Sequence, residues 1–522
     1  MKQLNLAGWR DRETLALLLL TLAAIALWLG ALDNLPLRDW DEGSHAMTAR
    51  EVYRTGRWLH LTLFDSPYWN KPPFAYWLIA ASYALHGAVT EWSARFPLAF
   101  TTALGVPLLY GLGREIFSHR WPALLSAATY LTLLPVVRHG RLVMLDGLVN
   151  TLFIFLLFCL ARSRRQPPWA LGIGLALGAI TLTKSVLVLA LWAIAGLWVL
   201  LNRDWALFRN LWAWLGLLLG AGSVAAWYIA QGLHYGPIFW EVHLQAQGLN
   251  RLSEAVEGNR GAPWYYLLEL GKYAWPWLLF WPGGLWLAWQ QRQQAWASLV
   301  LGGSVLFLVT ISLMGTKLPW YVMPLYPLFA LAVGAKLAQF WQHPPTRRLW
   351  ALPFGLLALG GLVGCGYFVL AEPQPVLMAM AIALVLVMSI VAVQVWRRDR
   401  RFIATLLAGS YFCLGLFFQS SAWVWELNEA FAAPPVGALL RTATPARTVV
   451  YASFAYNRPS VEFYGDRRVI AAGGPELVTQ RQAGHYILVD APTFAWLDLE
   501  NPTILGEAAG FRLLAPAESA KP

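Results

Sequence analysis

The sequence predicts a mainly α-helical, polytopic membrane protein: a transmembrane bundle of about thirteen spans, followed by a small α/β domain outside the membrane. Three observations lead there. Of 522 residues, 58% are hydrophobic and 13% charged, against roughly 25% charged in soluble globular chains, and mean hydropathy is +0.49. Apolar runs near bilayer-crossing length recur as far as Ala422. Beyond it they stop, and β-branched, aromatic segments at 448–452 and 485–490, punctuated by Pro434-Pro435 and Gly473-Gly474-Pro475, read as strands and turns.

Spans are expected near 15–32, 95–113, 122–137, 144–161, 168–183, 186–201, 211–231, 273–289, 296–314, 320–337, 350–371, 375–396 and 403–422. Loop charges alternate in register with them. One side receives Lys2, Arg10 and Arg12, then Arg114, Arg120, Arg162, Arg164, Arg165, Arg203, Arg209, Arg292, Lys336, Arg347, Arg348 and the cluster from Arg397 to Arg401. The short loops opposite hold little beyond Arg138, Arg141, Lys184 and Lys317. The positive-inside rule places the N-terminus in the cytoplasm, and the odd span count places the C-terminal segment outside. The same parity puts the first loop, 33–94, and the loop 232–272 outside, the latter long enough to move over a site. The organisation expected is thus a membrane domain over 1–422 and an extracytoplasmic domain over 423–522. No small-residue cleavage site follows the first span, which reads as a retained helix.

The net charge of +11 fits topology and contact with anionic membrane lipids rather than nucleic acid. The 30 tryptophans suit interfacial belts. Cys159, Cys365 and Cys413 all fall within spans and read as small buried hydrophobes, with neither a disulfide framework nor a zinc motif.

The chemistry-bearing residues concentrate outside. Asp39, Asp41 and Glu42 crowd the exit of the first span. A short helix over 41–55 places Asp41 and His45 on one face. The carboxylates read either as a general base or metal site at the membrane surface, or as N-caps of that helix; capping needs one acid, and there are three. Arg50, Glu51, Arg54 and Arg57 read as the solvated face of an amphipathic helix in the interface. Asn70-Lys71-Pro72-Pro73 differs: two prolines stiffen the chain and present Lys71 rigidly, which suits a phosphate. Arg138-His139-Gly140-Arg141 form the next outside turn, and Asp146 opens the following span as a second carboxylate or an N-cap. Lys184 and Lys317 sit at breaks between spans, where a lysine snorkels or meets a phosphate. His243, Arg251 and Arg260 lie in the 232–272 loop. Asp41, His45 and His243 could meet a divalent cation, without any paired-His or Cys motif behind it. The phosphate-binding Gly-rich motifs of soluble nucleotide enzymes are missing, so an activated donor would reach an outside site through the bilayer. Charges at loops rather than mid-span, and no internal repeat, favour an enzyme over a lipid or solute transporter. The C-terminal domain shows no catalytic motif and reads as a cover for the mouth of the membrane domain.

Asp41-Glu42, Ala46, Ala49-Arg50-Glu51, Gly56-Arg57-Trp58-Leu59 and Lys71-Pro72-Pro73 resemble the first-loop signature of GT-C membrane glycosyltransferases, above all the bacterial aminoarabinose (lipid A) transferase and protein O-mannosyltransferase-like group. Arg141 to Asp146, Leu182-Thr183-Lys184, Pro263-Trp264-Tyr265-Tyr266 and Lys317 to Leu325 follow in the family's order. The resemblance implies a polyprenyl-phosphate–sugar donor and inverting transfer to a lipid, polysaccharide or protein on the outer face of the bacterial cytoplasmic membrane. It implies Asp41 as base, with Asp146 and Glu42 as further active-site acids. Lys71, Lys184, Arg251 and Tyr321 match positions that hold the lipid phosphate or line the cavity, and Lys317, Asn70 and His243 join that set. The sequence departs from the aminoarabinose pattern twice: Asn70 stands where a Glu precedes Lys-Pro-Pro, and Ser44 where an Arg follows the Asp. Without that Glu an amino sugar loses a partner, so a neutral hexose or pentose is expected. A ligase handling lipid pyrophosphates is the neighbouring alternative.

Overall fold

The computed structural model describes residues 6–39, 41–255, 258–425, 431–499 and 502–517. Lys2 lies outside the described residues, as do the side chains of Arg10 and Arg12. The chain divides into two compact units, one of residues 1–32, 69–75 and 95–423, the other of 33–68, 76–94 and 424–522. Most of the first extramembrane loop therefore clusters with the C-terminal segment, where the sequence had grouped it with the membrane domain.

Among the described residues of the first unit and the 91–94 stretch leading into it, seven helices are long and apolar enough to cross a membrane, among them Glu91–Ile116, Leu145–Ser163, Leu211–Tyr235, Pro319–Gln342 and Arg348–Leu370. Shorter apolar helices include Glu13–Leu29, Pro167–Thr181, Leu187–Leu201 and Phe402–Phe417. The chain is a multi-pass membrane protein. Two of the expected spans are interrupted. The run over 122–137 stops as the helix Arg120–Leu131, and a separate helix Leu134–Arg141 begins around Pro135. The run over 273–289 breaks at Trp275-Pro276, between helices Tyr265–Tyr273 and Trp281–Gln290. A proline lacks the N–H that would continue the preceding helix, and its ring restricts the residue before it.

Pro319–Gln342 lies at the centre of this unit, with 89% of its apolar window buried, whereas Arg348–Leu370 has 11% and turns Leu356, Leu359, Leu362 and Val363 outward, as a lipid-facing helix does. Lipid is as apolar as leucine, so close packing must hold such helices together. Leu171–Thr181 and Leu211–Tyr235 achieve it through paired glycines, Gly174 and Gly178 against Gly216 and Gly220; a Cβ on Gly178 would stand 2.8 Å from the Gly220 Cα.

Arg95, Arg138 and Arg141 bond backbone carbonyls. Arg141 is fully buried and donates to the carbonyls of Leu27, Trp28 and Ala31 at 2.6, 3.1 and 3.0 Å. Arg95 donates to Leu32 O at 2.9 Å, and Arg138 to Trp423 O at 2.9 Å. The segment 138–141, expected as a turn, is helical and buried.

The second unit contains the helix Asp41–Thr55, a hairpin of β1 (Thr62–Leu63) and β2 (Ser66–Pro67), and a five-stranded sheet. Its strands are β3 (Val449–Ala452), β4 (Arg468–Ala471), β5 (Tyr486–Asp490), β6 (Ile504–Ala508) and β7 (Phe511–Leu514), in the order β4-β3-β5-β7-β6. β4, β3 and β5 are parallel, and β7 and β6 antiparallel. Alternate strand residues face opposite sides. Val450, Ala452 and Leu488 pack with Val436, Leu440 and Val461 on one face; Ile487, Val489 and Leu514 pack with Leu477 and Leu497 on the other.

The Asp41–Thr55 helix has the solvated face its charges predicted only in part: Arg54 and Arg57 are exposed and Glu51 is half-buried, but Arg50 is buried. It is buried from Glu42 to Arg50 because it packs on the helix Pro459–Gly465. Arg50 donates to the carbonyls of Glu462 and Phe463 at 3.1 and 3.3 Å, Arg54 pairs with Asp466 at 2.6 Å, and at Gly43 a Cβ would meet the Ser460 nitrogen at 2.8 Å.

Candidate functional site

The acids of the first loop lie in the second unit, each in a different setting. Asp41 occupies the first helical turn and is half-buried. Glu42 is fully buried, and its Oε2 accepts the Arg38 N–H at 3.0 Å while the Gly43 N–H donates to Arg38 O at 3.0 Å. Its carboxylate thus closes the turn that leads into the helix. Asp39 accepts from the Arg458 guanidinium and the Ser460 hydroxyl. One turn past Asp41, His45 Nδ1 lies 2.9 Å from the Tyr76 hydroxyl, which donates to the Tyr68 hydroxyl at 3.1 Å. Burial, then Tyr68, then the charge of Asp41 push the Tyr76 hydroxyl well above its ordinary pKa, so it stays protonated. Asp41 and His45 both act on Tyr76, as their shared helix face predicts. The sequence reading missed Tyr68, Tyr76, Arg458 and Ser460. Tyr76 hides in an apolar run, and the only signal for the other three would have been their hydroxyls and charge.

The cations lie in the first unit and are brought together there. Lys184 stands in the turn between Leu171–Thr181 and Leu187–Leu201. Its Nζ bonds Asp146 Oδ1 at 2.7 Å and lies 4.9 Å from the Tyr321 ring centroid. Arg251 Nη1 donates to the Tyr321 hydroxyl at 3.3 Å, and Nη2 to Gln247 Oε1 at 3.0 Å. Two cations therefore share one tyrosine, with Asp146 bonded to only one of them. The Arg251 Nε is buried without a hydrogen-bond partner among the described residues, as are those of Arg141 and Arg458. Backbone bonds from Gly315 to Leu252 O (2.7 Å) and from Thr316 to Arg251 O (3.2 Å) fix this segment of the 232–272 loop.

The tip of the first loop joins the same unit. The Phe74 N–H donates to Leu182 O at 2.9 Å, pinning Lys71-Pro72-Pro73 to the turn that carries Lys184. Trp69 O accepts from His243 Nδ1 at 2.6 Å, and His243 Nε2 accepts from the Tyr228 hydroxyl at 2.9 Å. A carbonyl can only accept, so Nδ1 carries the proton. Burial lowers the His243 pKa, the Trp69 bond opposes this, and the charge of Lys71 lowers it further; the ring is neutral at pH 7. With both nitrogens engaged, His243 latches the loop. Asn70 is exposed. Lys317 is buried and donates to the carbonyls of Ile311, Ser312 and Met314 at 3.1, 2.6 and 2.5 Å. It closes the end of the helix Ala295–Leu313, where a cation also meets the negative end of the helix dipole. Among the described residues, no three His, Cys, Asp or Glu side chains group as metal ligands.

Residues 70–229 match the family model for dolichyl-phosphate-mannose-protein mannosyltransferase. The undecaprenyl phosphate-alpha-4-amino-4-deoxy-L-arabinose arabinosyl transferase of Pectobacterium carotovorum is 33% identical over 306 residues, 56% of this chain and 54% of that relative. The corresponding enzyme of Edwardsiella ictaluri is 27% identical over 503 residues, 93% of this chain and 83% of the relative. The crystal structure of ArnT from Cupriavidus metallidurans, bound to undecaprenyl phosphate, superposes with a TM-score of 0.78 at 19% identity, covering 97% of this chain and 99% of the other. The chain has the ArnT fold. As its motifs implied, it is similar in sequence and fold to GT-C glycosyltransferases of the aminoarabinose-transferase kind. The chain spans little more than half the length of the first curated relatives it matches, 54% to 59%. Within this ArnT-like fold, the stretch that matches the family model carries Lys71, Asp146 and Lys184.

Proposed function

We propose that the chain is an integral membrane glycosyltransferase. It takes a sugar from a polyprenyl-phosphate carrier and transfers it, with inversion, to a lipid A-type glycolipid, a polysaccharide or a protein on the outer face of the bacterial cytoplasmic membrane. The observation that carries this reading is the pair of cations on Tyr321: Lys184 at 4.9 Å from its ring and Arg251 on its hydroxyl, with a buried guanidinium donor left over. Breaking the sugar C1–O bond leaves a phosphate on the carrier, and fixed cations favour the state in which that charge develops. Lys71 adds a third positive charge on a proline-stiffened tip. Asp146, 3% exposed, orients Lys184.

The acceptor oxygen attacks C1 opposite the departing phosphate, and Asp41 takes its proton, a contribution of about 10²- to 10⁴-fold. Asp41 stands half-buried in the first helical turn, and Asp39 and Glu42 hold the loop on either side of it. Relatives named for undecaprenyl phosphate support the carrier; Asn70 and Ser44 favour a neutral sugar over aminoarabinose. Thirteen spans, a cytoplasmic N-terminus and an extracytoplasmic C-terminal domain complete the reading.

The test is turnover by the purified full chain with a series of undecaprenyl-phosphate sugars, guided by mass spectrometry of surface lipids and glycoproteins from a deletion strain. Asp41→Asn is expected to abolish transfer and leave donor binding in place. Undiminished turnover by that variant removes Asp41 from the mechanism, and turnover only with pyrophosphate-linked donors assigns the chain to the ligases instead.

A further inference from the structure

We propose that Arg458 and Ser460, in the C-terminal segment, are positioning residues for Asp41, acting through Asp39, so that this segment is a working part of the transfer centre rather than a cover over it. The inference rests on the reading of Asp41 as the base.

The sheet topology marks the place. The chain leaves β3 for its neighbour β4, then returns past β3 to form β5, so the strand order reverses between β3 and β5. In open α/β sheets, the ends of the strands at such a reversal are where the fold holds its ligand. Here the crevice is closed from within: the Ser453 N–H donates to Leu488 O at 2.9 Å, and Ser453 Oγ accepts from the Asp490 N–H at 3.0 Å. What the residues just beyond β3 hold instead is a carboxylate of the same chain. Asp39, whose side chain is 1% exposed, meets the Arg458 guanidinium and the Ser460 hydroxyl across 419 and 421 positions of sequence. Arg458 is itself held, its guanidinium 4.1, 4.8 and 5.3 Å from the ring centroids of Phe431, Tyr456 and Phe454.

Asp39 lies two positions before Asp41. Beyond Asp41, Glu42 ties back to Arg38, Gly43 rests against the Ser460 backbone without room for a Cβ, and Arg50 grips the carbonyls of Glu462 and Phe463. The segment Asp39 to Arg50 is thus fastened at both ends to residues 458–463, with Asp41 between the fastenings. A general base must stand within hydrogen-bond reach of the proton it takes, and a misplacement of about 1 Å can lower a rate by roughly 100-fold.

The experiment uses the purified full chain with its donor and acceptor. Ser460→Ala and Arg458→Lys are expected to lower kcat by about tenfold or more, with donor KM within about twofold of wild type and the thermal midpoint nearly unchanged. Ser460→Thr, which keeps the hydroxyl, retains wild-type kcat, and Arg512→Ala, which breaks an exposed pair with Glu507 on β6, alters nothing. Wild-type kcat in Ser460→Ala and Arg458→Lys alongside an inactive Asp41→Asn overturns the positioning role while sparing the base. A loss of rate that only tracks loss of folded protein, in variants that Ser460→Thr fails to rescue, overturns it as well. Full turnover by Asp41→Asn removes the premise and the inference together.

Discussion

The carboxylates of the first loop and the cations around Tyr321 are held by opposite means. Asp39, Glu42 and Arg50 sit in buried hydrogen bonds, with partners up to 421 positions away. Lys184 and Arg251 lean on one tyrosine and one carboxylate. The contrast matches two tasks. A base must be fixed before the acceptor arrives, which rigid bonds achieve. A charged lipid must bind and leave, which calls for net positive charge, and with Asp146 bonded to Lys184 that charge is supplied by Arg251 on its neutral partners.

The largest effect that probes this contrast comes from the ion pair. Lys184→Met leaves Asp146 buried without its cation, a loss of at most about 3–5 kcal/mol of stability, reduced by the partial exposure of Lys184, and raises donor KM by about tenfold or more. Adding Asp146→Asn should recover the thermal midpoint and leave KM high. If the double variant recovers both, Lys184 serves the fold alone.

A smaller effect sharpens the rigid side. Burial raises the Glu462 carboxyl to about 7 despite Arg468 at 2.8 Å and the Val469 N–H. An acid with a raised folded pKa favours folding while protonated, so its contribution is complete below about 4.5 and lost as pH rises towards 7. It amounts to about 3 kcal/mol at most. Thermal unfolding should show this decline across that window, and Glu462→Gln should flatten it.

The smallest effect concerns the loop latch. The depressed pKa of His243 means that stability is present above about 6.5 and falls as pH drops below it, because the unfolded chain binds the proton first. Hydrogen exchange over 241–255 should quicken below that pH in wild type, and should not do so in His243→Gln.

The difference between the two regions also decides what could be read from sequence. Asp146, Lys184, Arg251 and Tyr321 stand at helix starts and breaks, and such positions are visible as polar residues flanking apolar runs. β3 and β5 were visible through their β-branched residues. Arg138, Arg141 and Lys317 broke the positive-inside pattern as Lys184 does, but backbone carbonyls satisfy a cation as well as a phosphate would, and no local pattern separates the two. The burial of Glu42 to Arg50 was not legible, because a charged helix reads as solvated until its partner, Pro459–Gly465, is known. The hold of Arg458 and Ser460 on Asp39 depends on a fold that joins the chain's first loop to its last hundred residues.

The central claim is that the cations on Tyr321 hold the phosphate of the carrier while Asp41 serves only the transfer step. Titrating undecaprenyl phosphate into the purified protein tests it most directly. Binding should weaken by about tenfold or more in Lys184→Met and Arg251→Ala and stay at the wild-type level in Asp41→Asn. Unchanged affinity in the two cation variants, or a loss confined to Asp41→Asn, would contradict it.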